Sequence, residues 1–304
     1  MTSNRQFRIA VTRDAIEAVA ERAPGRVRLL TLEDGVDLRS VDFLIPSDGG
    51  VDVADEVPSL TGLSVLQTLS AGTDQLQDIV PEGVTLCSAR GARDGPVAEW
   101  VVGALLGWTT GLLRSAHERR WDPDRRLDDL DGRTVMVLGM GSIGAAVRDR
   151  LRPFGTEVLG VASRARDGVH GVDELDRLLP TADAVVVLTP LSDTTRGLIG
   201  ASELAAMRDG ALLVNAGRGP VVDSDALLAE VSGPRLRAVL DVTDPEPLPD
   251  DHPLWTAPGV LSITPHMAGD SPLGEQRAAE FAGDQVARWC DGEPLHNIVT
   301  KEDG

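Results

Sequence analysis

The 304-residue chain contains no tyrosine, and aromatic residues make up 3% of it. No phenol is therefore available for acid–base chemistry. Positive charge is scarce as well. Against 48 Asp and Glu stand 29 Lys and Arg, giving a formal net charge of −19, and Lys301 is the sole lysine. That balance excludes the clustered basic footprint of a nucleic-acid binder and opposes adsorption to anionic lipid. The two cysteines, Cys87 and Cys290, have no metal-ligand spacing; free thiols in a reducing compartment are expected, and no metal site. Long hydrophobic runs are missing. The stretch "WVVGALLGWTTGLL" reaches about 14 residues, short of the roughly 20 that cross a bilayer, and predicts a buried helix. The opening "MTSNRQFRIAVTRD" lacks the apolar centre of a signal peptide. A soluble cytoplasmic protein without nucleic-acid or membrane partners is the expectation.

What is present is a steady alternation of short apolar runs and helix-like segments. The first set is "FRIAV", "VDFLI", "VLQTL" and "VTLC"; the second is "VMVLG", "EVLGVA", "AVVVLT", "ALLVNA", "RAVLDV" and "VLSIT". Runs that are continuously apolar predict strands covered on both faces, hence parallel sheets in an α/β fold. The six later runs suit one doubly wound sheet, and the four earlier ones a smaller sheet of the same type. The segment "ARDGPVAEWVVGALLGW" looks like the crossing between them, with Asp94 and Pro96 where a cap and a first-turn proline belong. After His266 the stretch "GEQRAAEFAGDQVARWC" predicts a last helix running back to the first domain. The expected domains are 1–94 plus 272–304 and 95–271.

"VMVLGMGSIGAAV" asks the first functional question. An apolar strand breaks at Gly139, glycines follow at Gly141 and Gly144, and a helix-forming run begins. The spacing is that of a dinucleotide-binding turn. Its first glycine permits the turn, the second lets backbone approach the pyrophosphate, and the third lets helix pack on strand. Amides at the helix start, around Ser142 and Ile143, then face the phosphates. A plain strand-to-helix turn stays open on the motif alone.

The end of the next strand bears on the choice of cofactor. An acid about 20 residues on would take the ribose 2′-hydroxyl of NAD. Residues 162–166 carry none; they read Ala162, Ser163, Arg164, Ala165 and Arg166. Arginine forms charge-assisted bonds to a 2′-phosphate that a carboxylate would repel. NADP(H) is expected over NAD(H), the alternative being that Arg164 and Arg166 face solvent.

Three further strands end in chemistry-bearing residues. Arg218 follows "ALLVN", Asp241 and Glu246 follow "RAVL", and His266 follows "VLSIT". Ligands of open α/β sheets bind outside the carboxyl ends of the strands. Reducing a 2-oxo acid needs a fixed cation for the carboxylate, a proton donor for the developing alkoxide, and a partner orienting that donor. Arg218, His266 and Glu246 supply those roles together, although each alone has a plainer explanation.

"VMVLGMGSIGAAVRDRLRPFGTEVLGV", "ADAVVVLTPLSDTTRGLIG", "LLVNAGRGPVVDSDALL", "LDVTDPEPLP" and "TPHMAG" stand in an order and spacing that resembles the D-isomer-specific 2-hydroxyacid dehydrogenase family over nearly the whole chain. The resemblance implies a flavodoxin-like substrate domain and a Rossmann dinucleotide-binding domain. It implies that Arg218 binds the substrate carboxylate and carbonyl and that His266 is the general acid/base paired with Glu246. It places Asp241 near the nicotinamide carboxamide, Thr189 and Pro190 beside the cofactor, and the substrate carboxylate on the "LSAGTD" loop near Ala71 and Gly72. It further implies a homodimer built on the cofactor domains, and hydride transfer between NADPH and a small anionic 2-oxo acid, as in the family's glyoxylate and hydroxypyruvate reductases. Arg90 and Arg93 are departures from the family pattern. They suit either a second anionic group on the substrate or an ion pair to one of the many acids. Formate-oxidising relatives carry glutamine at the position of Glu246. A phosphite-type dehydrogenase and a dinucleotide-sensing, corepressor-like binding module stand as alternatives.

Overall fold

The computed structural model describes residues 6–23, 25, 27–47, 50, 52–118, 121, 123–124 and 126–300. The chain divides into two compact units, Met1–Arg93 with Asp270–Gly304, and Asp94–Gly269.

The first unit is built on five parallel strands, β1 (Phe7–Val11), β2 (Val27–Thr31), β3 (Phe43–Ile45), β4 (Val65–Gln67) and β5 (Thr85–Cys87), in the order β2-β1-β3-β4-β5. This is the flavodoxin-like order, whose direction reverses between β1 and β3. The sequence predicts four of these strands. The fifth, β2, is an edge strand pairing only with β1, with Arg28 exposed and its other residues only partly buried; a half-exposed run gives no continuous apolar signal. Helices α1 (Ile16–Arg22) and α2 (Asp74–Gln77) lie within this unit.

The second unit holds seven parallel strands: β6 (Thr134–Leu138), β7 (Glu157–Ala162), β8 (His170–Gly171), β9 (Ala184–Val187), β10 (Leu212–Asn215), β11 (Arg237–Leu240) and β12 (Val260–Ile263). Their order is β12-β11-β10-β9-β6-β7-β8, a Rossmann sheet with one added strand at the β12 edge. Val135, Val137, Val185, Val186, Leu212 and Val214 are fully buried, as strands covered on both faces require. The strand the sequence does not predict is β8, two residues long and paired only with β7.

Helices α3 (Asp94–Thr109), α4 (Leu112–Glu118), α5 (Ser142–Leu151), α6 (Leu175–Leu178), α7 (Ala201–Ala206) and α8 (Ser224–Val231) complete the second unit. The expected single helix through "WVVGALLGWTTGLL" is instead two. Gly111 adopts φ +67°, and α3 and α4 meet at 68°. No single described helix is long and apolar enough to cross a membrane.

The last helix, α9 (Pro272–Asp291), belongs to the first unit. Ser271 caps it, its hydroxyl accepting the Gly274 N–H at 3.0 Å, and Gly292 ends it at φ +72°. Its small residues Ala278, Ala279 and Ala282 are buried, and Gly283 lies against the Ala18 carbonyl of α1. Trp289 meets Phe7 and Phe43 edge-on, at centroid distances of 4.8 and 5.7 Å, an arrangement aromatic quadrupoles favour.

Candidate active site

The glycine turn leaves β6 where the strand order of the second unit reverses, the position at which such sheets bind ligands. Gly139 takes φ +107°, and a Cβ there would stand 2.7 Å from the Leu188 carbonyl carbon. A side chain is thus excluded twice, by conformation and by space. A Cβ on Gly144 would collide with the Gly139 carbonyl oxygen, so the third glycine is what lets α5 pack against the turn. Gly141, the N-cap of α5, has open space where its Cβ would be. Ser142 and Ile143 open the helix, and the Ser142 hydroxyl donates to Asp94 at 3.2 Å. The amides at this helix start are the donors available to an anion.

Thr189 follows β9 on the opposite wall of the turn. Its hydroxyl is buried and has no hydrogen-bond partner among the described residues. An unpaired buried hydroxyl is costly; beside a turn shaped for a pyrophosphate, it fits a polar ligand, so these residues fit a dinucleotide. Pro190 is exposed next to it, and its carbonyl accepts from the Thr195 hydroxyl at 2.7 Å.

Ser163, Arg164 and Arg166 follow β7, all exposed. Arg166 pairs with Val169 through backbone bonds of 2.9 and 2.8 Å. Its guanidinium turns back to the turn itself, donating to the Met140 carbonyl at 2.6 Å.

Arg218, Asp241, Glu246 and His266 all lie in the second unit, in loops after β10, β11 and β12, which are neighbours in the sheet. Asn215 shapes the first loop. Its side-chain oxygen accepts from Gly217 N–H at 3.1 Å, and its side-chain amide donates to the Arg218 carbonyl at 3.1 Å. Arg218 is half-buried and donates to the Gly217 carbonyl at 2.8 Å. Gly219 packs directly on Thr243, where a Cβ would strike the carbonyl, so the Arg218 loop and the Asp241–Glu246 loop are in contact.

Glu246 Oε1 lies 2.6 Å from His266 Nδ1. This is a charge-assisted distance. It fixes one face of the imidazole and leaves Nε2 for another partner. His266 takes φ +53°, a left-handed conformation rare outside glycine. Its N–H donates to the Asp241 carbonyl at 2.8 Å. The Asp241 carboxylate is 3% exposed and accepts from Thr264 Oγ1 at 2.5 Å, Met267 N–H at 2.9 Å and Ala268 N–H at 2.9 Å. Asp241 therefore holds the histidine loop, a role its sequence position does not reveal. Neither that network nor the part of Asn215 is visible from spacing, because the partners are mostly backbone groups.

Ala71 and Gly72 are carried by the first unit, in the loop after β4. The Ser70 hydroxyl donates to the Gly72 carbonyl at 3.0 Å, and the Thr68 hydroxyl to the Ser70 carbonyl at 2.9 Å. Arg93 forms an ion pair with Asp270 at 3.0 Å, in keeping with the plainer of the two expectations for it. The Arg90 carbonyl accepts from the Asn297 side-chain amide at 2.9 Å, and its side chain is exposed.

A family model, D-isomer specific 2-hydroxyacid dehydrogenase, NAD binding domain, matches residues 104–268. Over 270 residues the chain is 32% identical to the glyoxylate reductase of Thermofilum pendens, covering 83% of this chain and 78% of that one. The structure of a D-isomer specific 2-hydroxyacid dehydrogenase from Xanthobacter autotrophicus Py2, in complex with NADPH and MES, superposes with a TM-score of 0.81 at 30% identity, covering 99% of this chain and 100% of that one. An NADPH-dependent glyoxylate/hydroxypyruvate reductase from Sinorhizobium meliloti, in complex with NADP and sulfate, gives 0.84 at 26% identity over 98% and 99% of the two chains. The chain belongs to the D-isomer specific 2-hydroxyacid dehydrogenase family, a class of NAD(P)-dependent oxidoreductases.

Proposed function

We propose that the protein reduces small 2-oxo acids to 2-hydroxy acids, with NADPH preferred over NADH. The observation that carries this reading is the His266–Glu246 pair at 2.6 Å, in which Glu246 stands on the loop neighbouring that of Arg218. The dinucleotide supplies the hydride when bound. His266 holds the proton that the developing alkoxide takes, and Glu246 orients the ring. Arg218 binds the substrate carboxylate and polarises the carbonyl. Ala71 and Gly72, in the first unit, are read as substrate-binding through their backbone amides. Gly139, Gly141, Ser142, Ile143 and Gly144 form the pyrophosphate seat, with Thr189 and Pro190 beside the dinucleotide.

NADPH is favoured by the Ser163 hydroxyl, the Arg164 guanidinium and the lack of a carboxylate at 162–166. The NADPH and NADP complexes of the Xanthobacter and Sinorhizobium relatives support it. The substrate class follows the glyoxylate and hydroxypyruvate reductases among the relatives. The protein is read as a cytoplasmic homodimer. Leu112, Trp121, Leu127 and Phe154 support a dimer on the cofactor units, being large apolar side chains left 67%, 92%, 65% and 39% exposed on that unit.

The test is nicotinamide absorbance decay with purified protein, offering glyoxylate, hydroxypyruvate, pyruvate, phenylpyruvate and 2-oxoglutarate with each cofactor. Turnover of any of the smaller acids, faster with NADPH, is expected. Equal or faster turnover with NADH overturns the cofactor preference. Tight dinucleotide binding with no turnover of any acid overturns the reductase reading.

A further inference from the structure

Met140 is held on three sides. Its N–H and that of Gly139 both run to the Val161 carbonyl of β7, at 3.2 and 2.9 Å. Its side chain is buried over Gly160, where a Cβ would come within 2.7 Å of Met140 Cγ. Its carbonyl oxygen takes the Arg166 Nη2–H at 2.6 Å. The arginine is itself fixed by its backbone pairing with Val169 across a turn in which Gly168 adopts φ +69°.

The peptide between Met140 and Gly141 is trans, since the cis bonds among the described residues lie at Asp244–Pro245 and Glu246–Pro247. In a trans peptide the C=O and N–H point to opposite sides. Holding the Met140 oxygen toward Arg166 therefore aims the Gly141 N–H away from it, at the mouth of the turn beside the start of α5. That N–H is one of the donors a pyrophosphate would use. One of the two Nη2–H donors of Arg166 is thereby spent on a neutral carbonyl rather than left for a phosphate. Arg164 is exposed and makes no side-chain bond among the described residues.

We infer that Arg166 is a positioning residue for the phosphate-binding turn, serving NADP(H) and NAD(H) alike, and that selection for the 2′-phosphate falls to Ser163 and Arg164. This rests on the reading that the dinucleotide occupies the glycine turn. It divides the two arginines that the sequence assigns to a single task.

The test measures affinities for NADPH, NADH and adenosine 2′-monophosphate, the last bearing the 2′-phosphate without a pyrophosphate. Binding is followed calorimetrically for wild type, Arg166→Ala, Arg166→Lys and Arg164→Ala. Losing one charge-assisted bond weakens binding about tenfold. Arg166→Ala is expected to weaken NADPH and NADH by the same factor and to leave adenosine 2′-monophosphate unchanged. Arg166→Lys restores part of the loss, because an ammonium still reaches the carbonyl. Arg164→Ala is expected to weaken NADPH and adenosine 2′-monophosphate and to spare NADH. Loss of NADPH and adenosine 2′-monophosphate with NADH intact in Arg166→Ala overturns the proposal, as does no change in any ligand. Should Arg166→Ala fail to fold, Arg166→Lys carries the same comparison. Wild-type protein that binds NADH as tightly as NADPH refutes the NADPH preference and leaves the Arg166 comparison valid.

Discussion

Asp241 receives the backbone N–H of His266 on its carbonyl at 2.8 Å, while its carboxylate takes the amides of the two residues that follow, Met267 and Ala268, each at 2.9 Å. The histidine's left-handed backbone is thereby fixed from both sides of its Cα. Strain of this kind persists only where the surroundings impose it. Asp241→Asn places an N–H₂ group against an amide that needs an acceptor. Stability is expected to fall by about 1–3 kcal/mol, and kcat by roughly 100-fold as the imidazole loses its place. Dinucleotide affinity should hold, because the bonds lost belong to the histidine loop. A titration showing NADPH binding weakened as much as kcat would instead put Asp241 against the nicotinamide carboxamide.

Glu246 differs from Asp241 in that its partner is the ring. The carboxylate 2.6 Å from Nδ1 holds the ring in one orientation. Glu246→Gln keeps a hydrogen-bond acceptor and removes the charge. With the ring less firmly placed, kcat for reduction is expected to fall roughly tenfold while dinucleotide affinity holds. An unchanged kcat removes Glu246 from this role.

Much of this architecture is legible in the chain, and the reasons are specific. Val135–Leu138 reads as a buried strand because it is apolar on both faces, and Gly139, Gly141 and Gly144 follow at the spacing of a dinucleotide-binding turn, with Gly139 and Gly144 where a Cβ would meet backbone. Arg218, Glu246 and His266 are legible because each follows a predicted strand. What escapes is held by backbone or by edges. Strand β8 is two residues long, and β2, an edge strand beside β1, has no fully buried residue, so neither imposes a continuous apolar pattern. The Arg166–Met140 bond joins a side chain to a carbonyl 26 residues away, and a carbonyl has no residue type to betray it. Asp241 is visible as an acid at a strand end, but its amide partners are 26 and 27 residues off.

Cys87 ends β5 fully buried, and burial pushes its thiol up to about 11 from an ordinary 9.0. The folded state therefore disfavours the thiolate, while the unfolded chain ionises earlier. The stabilisation this gives is complete below the ordinary value and is lost as pH rises through about 9 to about 11. Urea denaturation across that range should show falling stability, with a shallower fall in Cys87→Ala. At pH 8 the thiol should resist alkylation in native protein and react once the chain is unfolded. Rapid native-state labelling of Cys87 at pH 8, located by peptide mapping, would contradict its burial and raised pKa.

Arg218 is set by Asn215 rather than by its own length. With the Asn215 side chain bonded to both Gly217 N–H and the Arg218 carbonyl, the loop presents the guanidinium from a fixed backbone. A lysine in its place keeps the charge and loses the planar fork that matches a carboxylate. Arg218→Lys is expected to raise KM for a 2-oxo acid about 10- to 100-fold, the equivalent of one to two charge-assisted bonds. It should lower kcat as well, because the carbonyl is no longer polarised. NADPH affinity should be unchanged, and Asn215→Ala should reproduce the KM effect in part by freeing the loop. Steady-state kinetics paired with dinucleotide titration separates these terms. A variant with normal KM and kcat would show that the substrate carboxylate is held elsewhere.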